Sequence, residues 1–539
     1  MCGILAVIDA REPDEIRRLA RKMSHRGPDE RGFVVTQSGI ALAHERLAIM
    51  DLENGRQPIQ GTRNSYVIHN GEIYNHEDLH KRFLSERTFR SRCDSEVIVH
   101  LFEEFGDDFV HLLDGIFALA VTDGEKFLVA RDPIGVKPLY YGKDAQGAMY
   151  FASEMKVIEE QCVELACFPP GHYYTPAKGF VKYFKPDWED ARKATSQLDY
   201  DAIRKGLEAA VEKRLMSDVP IGAFLSGGLD SSLVASIAAR KLQEKGEKLR
   251  TFSIGISKES PDLIAARKVA DFIGSEHHEI IFSKEQGIAL LEKLCWHLES
   301  YDVTTLRAST PMYILSQYIS SLGIKVVLSG EGADEMFGGY LYFHNAPSSM
   351  EFQAETVRRV KRLYTADLLR SDKSTMAHGL EARVPFLDLA FLQTVLGTMP
   401  EYKQPDRSTE KCEKYILRKA FDDYEKPYLP DEILWRQKEQ FSDGVGYSWV
   451  DALMEHTSAK VSEAEMSGAA LVFPHNTPHS KEAYYYRRLF VRHFSGTPAA
   501  HTVMKWIPTW QENKDPSGRA SSHHDEGDMA QKVKVHKRV

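Results

Sequence analysis

The chain has 539 residues, 42% of them hydrophobic and 27% charged, and a formal net charge of -9. That length suits roughly two to four domains, and that composition belongs to a globular chain rather than a disordered one. The acidic balance gives no electrostatic reason to expect a nucleic acid partner, and no apolar run of ~18 residues exists to span a membrane.

The first residues turn charged at Asp9, Arg11 and Glu12, without the basic and long apolar regions of a secretory leader. The six cysteines (2, 93, 162, 167, 295 and 412) are too sparse for a disulfide scaffold and form no Cys-x-x-Cys pair. A reducing, cytoplasmic setting is the expectation.

Residues 1–190 read as strand-rich. Apolar runs at 3–8, 66–69, 116–122 and 126–130 are broken by Gly, Asn and Asp. Two helices are legible, at 15–23 and 95–105, the second through Val97, Ile98, Leu101 and Phe102. A polar linker follows at 185–198. Then the pattern changes: apolar runs at 219–225, 249–256, 279–282 and 324–328 alternate with helical stretches such as 262–273. Such alternation predicts a parallel sheet with helices on both faces, and ligands of such sheets sit at the carboxyl ends of strands. Beyond 350 the pattern is mostly helical. Residues 514–539 are poor in apolar residues and read as a mobile tail, with His523 and His524 as solvated neighbours.

Cys2 stands out by position. Removal of Met1 puts its thiol and a free α-amine on one residue, with ordinary pKa values of ~8.5 and ~8. The amine can then act as general base for its own side chain. The bland alternative is a small buried residue opening a strand. Four patterns follow: His25-Arg26-Gly27-Pro28-Asp29, His44-Glu45-Arg46-Leu47, Asn70-Gly71-Glu72-Ile73-Tyr74-Asn75 and Asp94-Ser95-Glu96. Attack on an amide needs oxyanion donors, which Asn70 and Gly71 supply from a turn free of Cβ obstruction. A free amino acid needs a cation for its carboxylate and an anion for its ammonium, jobs that suit Arg46 and Asp94. Taken alone, Asn70-Gly71 is a hairpin turn and the two charges are surface groups.

Cys2-Gly3-Ile4 with these four patterns in this order resembles the glutaminase domain of class II glutamine amidotransferases. The resemblance implies an N-terminal-nucleophile αββα sandwich over 1–190. It makes Cys2 the nucleophile and Asn70 with Gly71 the oxyanion hole. Glutamine would be held by Arg46, Glu72 and Asp94, with the main chain of Leu47, Ala48, Ile49 and Met50.

The second site is Ser226-Gly227-Gly228-Leu229-Asp230-Ser231-Ser232, after an apolar strand and opening a helix. Glycines admit phosphate close to the backbone, and a helix N-terminus offers free N–H groups. Asp230 would repel phosphate unless a cation intervened, which suggests Mg²⁺. This is not a Walker A loop, and a plain helix N-cap is the alternative. Further on, Ser329, Gly330, Glu331 and Asp334 follow another strand end. Asp334 suits a Mg²⁺ shared with Asp230, Glu331 an acid/base or positioning role, and Lys438 neutralisation of a leaving phosphate.

The SGGLDSS string resembles the loop of ATP pyrophosphatases. That likeness implies that main chain near Phe224 and Ile254 seats adenine and that Ser329 and Gly330 hold the nucleotide. With Tyr301–Pro311, the GEGADEMFGGY run and the EARVPFLD run, the likeness extends to asparagine synthetases over about 1–515. It implies an α+β sandwich followed by an α/β parallel-sheet synthetase domain at 200–513 with a helical C-terminal part. The implied reaction makes asparagine from aspartate, ATP and glutamine-derived ammonia through β-aspartyl-AMP, giving AMP, pyrophosphate and glutamate. The expected partners are glutamine, aspartate and ATP, without nucleic acid or membrane, and with a homodimer left open. Thr304, Thr305 and Arg307 are the polar candidates for aspartate. Three positions depart from the family pattern: Glu30, where Trp is common; Arg92, where small residues are; and Phe224, where Leu is. A lactam-forming relative is disfavoured by the intact Cys2, and a phosphoribosyl-directed amidotransferase by SGGLDSS. A degenerate amino-acid sensor would lack Cys2, Asp230 or Glu331. A tRNA-modifying pyrophosphatase would need a basic surface.

Overall fold

A computed structural model describes residues 2–406, 411–438, 441–495, 497–513, 515 and 517. The expected tail over 514–539, with His523 and His524, lies outside the described residues except at two positions. Both are held: Asp515 accepts from Arg307 at 3.0 Å, and Ser517 donates to Asp443 at 2.8 Å.

The N-terminal region is two stacked six-stranded antiparallel sheets. One runs Glu164–Cys167, Tyr140–Lys143, Met149–Ala152, Gly3–Ile8, Ala41–Arg46, Glu30–Val35. The other runs Gly179–Lys182, His172–Thr175, Phe127–Arg131, Gly115–Thr122, Tyr66–Ile73, Ile59–Gln60. Strand alternation builds the layers, because successive side chains leave opposite faces. Ile4 and Ala6 enter the core between the sheets with Ile68, Ala118 and Ala120. Leu5 and Val7 face outward onto Ile16 and Leu19 of helix Pro13–Ala20. On the far side Phe117, Leu119 and Val121 meet Val97, Ile98 and Leu101 of helix Glu96–Phe105. The order is helix, sheet, sheet, helix, as expected. Helix His76–Phe83 was not anticipated; only Leu79 of it is buried.

The expected linker is structured: two short 3₁₀ turns, Asp187–Glu189 and Ala191–Lys193, bury Trp188. Beyond it lies a five-stranded parallel sheet in the order Glu276–Ile281, Arg250–Gly255, Ile221–Phe224, Val326–Leu328, Glu381–Arg383. Four strands fall where the apolar runs placed them. The fifth, Glu381–Arg383, sits at the edge. Successive connections run one way from Ile221–Phe224 out to Glu276–Ile281, then cross to Val326–Leu328. This reversal opens a crevice at the carboxyl ends of the two inner strands.

The two regions share a core. Tyr140, Met155 and Val157 of the sandwich pack with Leu294, Leu298 and Leu380 beyond it. Among the described residues no helix is long and apolar enough to cross a membrane.

Candidate functional site

Cys2 opens the central strand of the first sheet and is 6% exposed. Its backbone nitrogen donates to Asn70 Oδ1 at 2.9 Å, and its carbonyl accepts from Arg26 Nε at 3.1 Å. Burial pushes the thiol pKa up, partly opposed by the Leu47 carbonyl and Arg46. His44 and His69, on neighbouring strands, are held by burial down to about 3 and about 4, so neither carries charge near neutral pH.

Asn70 and Gly71 do not form a turn. They lie inside strand Tyr66–Ile73, opposite Ala118 and Phe117. Gly71 is glycine because a Cβ there would stand 1.9 Å from the Ile116 carbonyl oxygen. Asn70 holds the Cys2 nitrogen with one end, while its Nδ2 is buried without a hydrogen-bond partner among the described residues.

The expected glutamine-binding groups meet here, with new partners. Asp94 accepts from the Ile73 N–H at 2.7 Å. Glu72 Oε1 pairs with Arg383 of the fifth parallel strand at 2.9 Å, and Glu72 Oε2 is buried without a partner among the described residues. Burial pushes the Glu72 pKa well up, against the pull of Arg383. Arg46 is 3% exposed and ion-paired with Glu30, and its remaining terminal N–H bonds go to the carbonyls of Met50, Asp51 and Leu52. The loop Leu47, Ala48, Ile49, Met50 is thereby folded around the guanidinium. Arg92 is exposed, its N–H on Asp51 at 2.7 Å.

The second site is a cavity at the carboxyl ends of the parallel strands. Phe224, Ser226, Asp230, Ser231, Ile254, Ser329, Gly330, Glu331, Asp334 and Lys438 line it together. Gly227 and Gly228 form the turn behind: Gly227 has φ +71°, and its missing Cβ would lie 2.4 Å from the Ala266 nitrogen. Helix Leu229–Gln243 begins directly after Gly228. Ser226 and Ser231 hydroxyls touch at 2.9 Å.

Asp230 and Asp334 are brought to one cation. The Lys414 ammonium contacts both, reaching Asp334 at 2.6 Å, and Lys438 reaches Asp334 at 2.7 Å. Burial opposes ionisation of Asp334, but these two lysines overcome it and draw its pKa down to about 2. Lys438 moves the opposite way: burial disfavours its charge, and Asp334 and Asp230 outweigh that and raise it. The carboxylate spacing therefore suits one shared cation, and Asp230 Oδ1 has no partner among the described residues. No larger metal-ligating group occurs among the described residues. Two carboxylates fit Mg²⁺, which takes its remaining ligands from phosphate and water.

Glu331 is held by Arg370 at 2.9 Å, and Arg370 also reaches Asp367 at 3.1 Å. Burial lifts the Glu331 pKa despite that arginine. Of the aspartate candidates, only Thr304 lines the cavity, its Oγ1 unpartnered among the described residues. Thr305 instead bonds Asp302 at the start of its helix, at 2.9 Å. Arg307 does not line the cavity; it is paired with Glu482 at 2.6 Å and with Asp515 at 3.0 Å. Sequence reading missed Lys414, Arg370 and Arg383. Lys414 and Arg370 lie on segments of ordinary composition, and Arg383 lies within the EARVPFLD run without having been given a role; each is revealed by the carboxylates it meets.

A family model described as a glutamine amidotransferase domain matches residues 1–174. One described as asparagine synthase matches 202–355 and 347–513. The chain is 49% identical over 550 residues to a glutamine-hydrolysing root asparagine synthetase of Pisum sativum, covering 97% of this chain and 94% of that one. Identity is 49% over 549 residues to an Arabidopsis thaliana counterpart, with 97% and 94% covered. Against a probable counterpart in Dictyostelium discoideum it is 48% over 554 residues, with 97% and 99% covered.

Proposed function

The chain belongs to the glutamine-hydrolysing asparagine synthetase family, and from that premise we propose that it makes asparagine from aspartate, ATP and the amide nitrogen of glutamine, with residues 1–190 as the glutaminase and 200–513 as the synthetase. The observation that carries the coupled reading is the ion pair Glu72–Arg383 at 2.9 Å. It fastens the strand edge of the ATP cavity's sheet directly into the Cys2 site.

In the first site the Cys2 amine, free once Met1 is removed, takes the thiol proton and the sulfur attacks the glutamine amide carbon. Asn70 Nδ2, buried and without a partner among the described residues, and the Gly71 N–H receive the oxyanion. The amine passes that proton to the amide nitrogen, the C–N bond breaks with neutral ammonia leaving, and water clears the glutamyl thioester as glutamate. Arg46, Glu72 and Asp94 would orient the amino acid end of the substrate.

In the second site the aspartate β-carboxylate attacks the α-phosphorus of ATP, forming β-aspartyl-AMP and releasing pyrophosphate. Ammonia then adds to the acyl carbon and AMP leaves. Phe224 and Ile254 would seat adenine, and the loop from Ser226 to Ser231 would hold phosphate, with Ser329 and Gly330 beside it. Mg²⁺, held by Asp230 and Asp334, would neutralise phosphate charge. Lys438 adds fixed positive charge where pyrophosphate departs. Arg370, beside Glu331, is the group best placed for an aspartate carboxylate. Glu331, kept basic by burial, can accept a proton from the attacking ammonia. Passage of ammonia between the sites is assigned to the buried interface, because bulk water would protonate it. The expected setting is the cytoplasm.

The test follows glutamate, asparagine, AMP and pyrophosphate with glutamine, aspartate and Mg·ATP supplied. Wild type should form asparagine and AMP together, and Cys2→Ala should do so only with ammonia. Glutamate without asparagine would overturn the synthetase reading and retain the glutaminase.

A further inference from the structure

Arg46 has no terminal N–H to spare. Its two terminal nitrogens carry four N–H bonds. Nη2 donates to the Met50 and Asp51 carbonyls at 3.1 and 2.7 Å, and Nη1 to the Leu52 carbonyl at 3.3 Å and to the Glu30 carboxylate. Three of these partners are main chain of the loop that the arginine organises. The fourth is a side chain, 36% exposed where Arg46 is 3% exposed.

Glu30 reaches Arg46 because the two are directly opposite across the antiparallel pair Glu30–Val35 and Ala41–Arg46. Its strand is the outermost of its sheet, so the side chain can swing into solvent without unpairing a neighbour. A ligand carboxylate that engages a terminal N–H of Arg46 while the loop stays folded must take the bond that Glu30 holds.

We propose that Glu30 is a built-in competitor for the substrate α-carboxylate, so that glutamine binding exchanges one carboxylate for another on Arg46 and Glu30 sets the KM for glutamine. This rests on the reading of Arg46 as the glutamine carboxylate partner. The exchange leaves Arg46 paired throughout, which keeps the 47–52 loop in place. Its cost falls on binding and not on the chemical step. Product glutamate carries the same carboxylate and meets the same competition.

The experiment compares wild type and Glu30→Gln for glutamate release from glutamine, with ammonia-dependent asparagine formation measured alongside. Loss of a partly exposed ion pair corresponds to a fall in the glutamine KM of about two- to fivefold, with kcat within about twofold. Inhibition by added glutamate should tighten in parallel, and ammonia-dependent synthesis should be unchanged. Glu30→Asp, one methylene shorter, should fall between. A merely structural Glu30 would raise KM or lower kcat on substitution. An active wild type with an unchanged or raised KM in Glu30→Gln overturns the competition alone. A wild type that releases no glutamate overturns the glutaminase reading and the competition with it.

Discussion

Asn70 works with both ends of one amide. Oδ1 fixes the Cys2 nitrogen at 2.9 Å, and Nδ2 is buried with no hydrogen-bond partner among the described residues. A buried donor left unmade costs about 1–3 kcal/mol, and that cost is recovered only when charge develops in front of it. Asn70→Ala should therefore lower kcat for glutamate release by about 10²–10³ and leave ammonia-dependent asparagine formation intact. Equal loss of both activities would assign Asn70 to folding. Glu335 gives a second residue-scale prediction. Burial first, then the charges of Asp367 and Asp334, lift its pKa to about 8. The folded state thus keeps a proton that the unfolded chain releases near the ordinary ~4.3. The stability tied to that proton is full below about pH 4.3 and is lost as pH rises through about 8. Glu335→Gln, which cannot ionise, should gain melting temperature over wild type progressively between pH 5 and 8. A constant offset across that range would contradict the assignment.

The phosphate loop is an element whose shape depends on one glycine. Gly227 sits at φ +71° against Ala265 and Ala266 of helix Pro261–Ile273, with no room for a methyl group. Gly227→Ala must move the loop or that helix, at a cost of about 1–3 kcal/mol. Asparagine formation should collapse from either glutamine or ammonia, while glutamate release at Cys2 persists. Retained synthesis would mean that the loop does not need this backbone. Glycine-marked elements of this kind were readable in the sequence because strand, loop and helix announce themselves in consecutive residues. The edge strand Glu381–Arg383 was not, since it has three residues and two charges with no alternation to follow. Asn70-Gly71 was misread for a related reason. The dipeptide signals a turn, but here the glycine is demanded by the Ile116 carbonyl of the neighbouring strand. Arg307 is a candidate by residue type, but type does not name a partner, and Glu482, which it meets, is 175 positions away. The site legible in sequence was its local strings; the cations that complete it come from far along the chain, Arg370 from helix Asp367–Met376 and Lys414 from the turn before helix Tyr415–Ala420.

At the scale of the whole molecule, the two sheet systems are joined by charges taken out of water. Lys373 is fully buried against Glu299 and donates to the Tyr140 hydroxyl at 2.9 Å. Glu299 in turn accepts from the N–H groups of Met155 and Lys156 at 2.9 and 2.8 Å, and Arg26 meets Asp372 at 2.8 Å. Such pairs add little net stability over apolar packing, but removing one partner strands the other at a cost of about 3–5 kcal/mol. They therefore fix how the halves dock more than how strongly. Lys373→Met should lower the melting temperature and lower the asparagine formed per glutamate released, because a loosened interface lets ammonia escape to water. Lys325→Met removes a pair with Asp29 at 2.7 Å whose side chains are 29% and 30% exposed. That pair is screened by solvent and worth under ~1 kcal/mol, so its loss should leave both readouts near wild type. The contrast separates docking from bulk charge: if both variants lose coupling equally, surface electrostatics and not the buried pairs hold the halves in register. If Lys373→Met melts lower yet keeps the full asparagine-to-glutamate ratio, the ammonia path does not run along this interface.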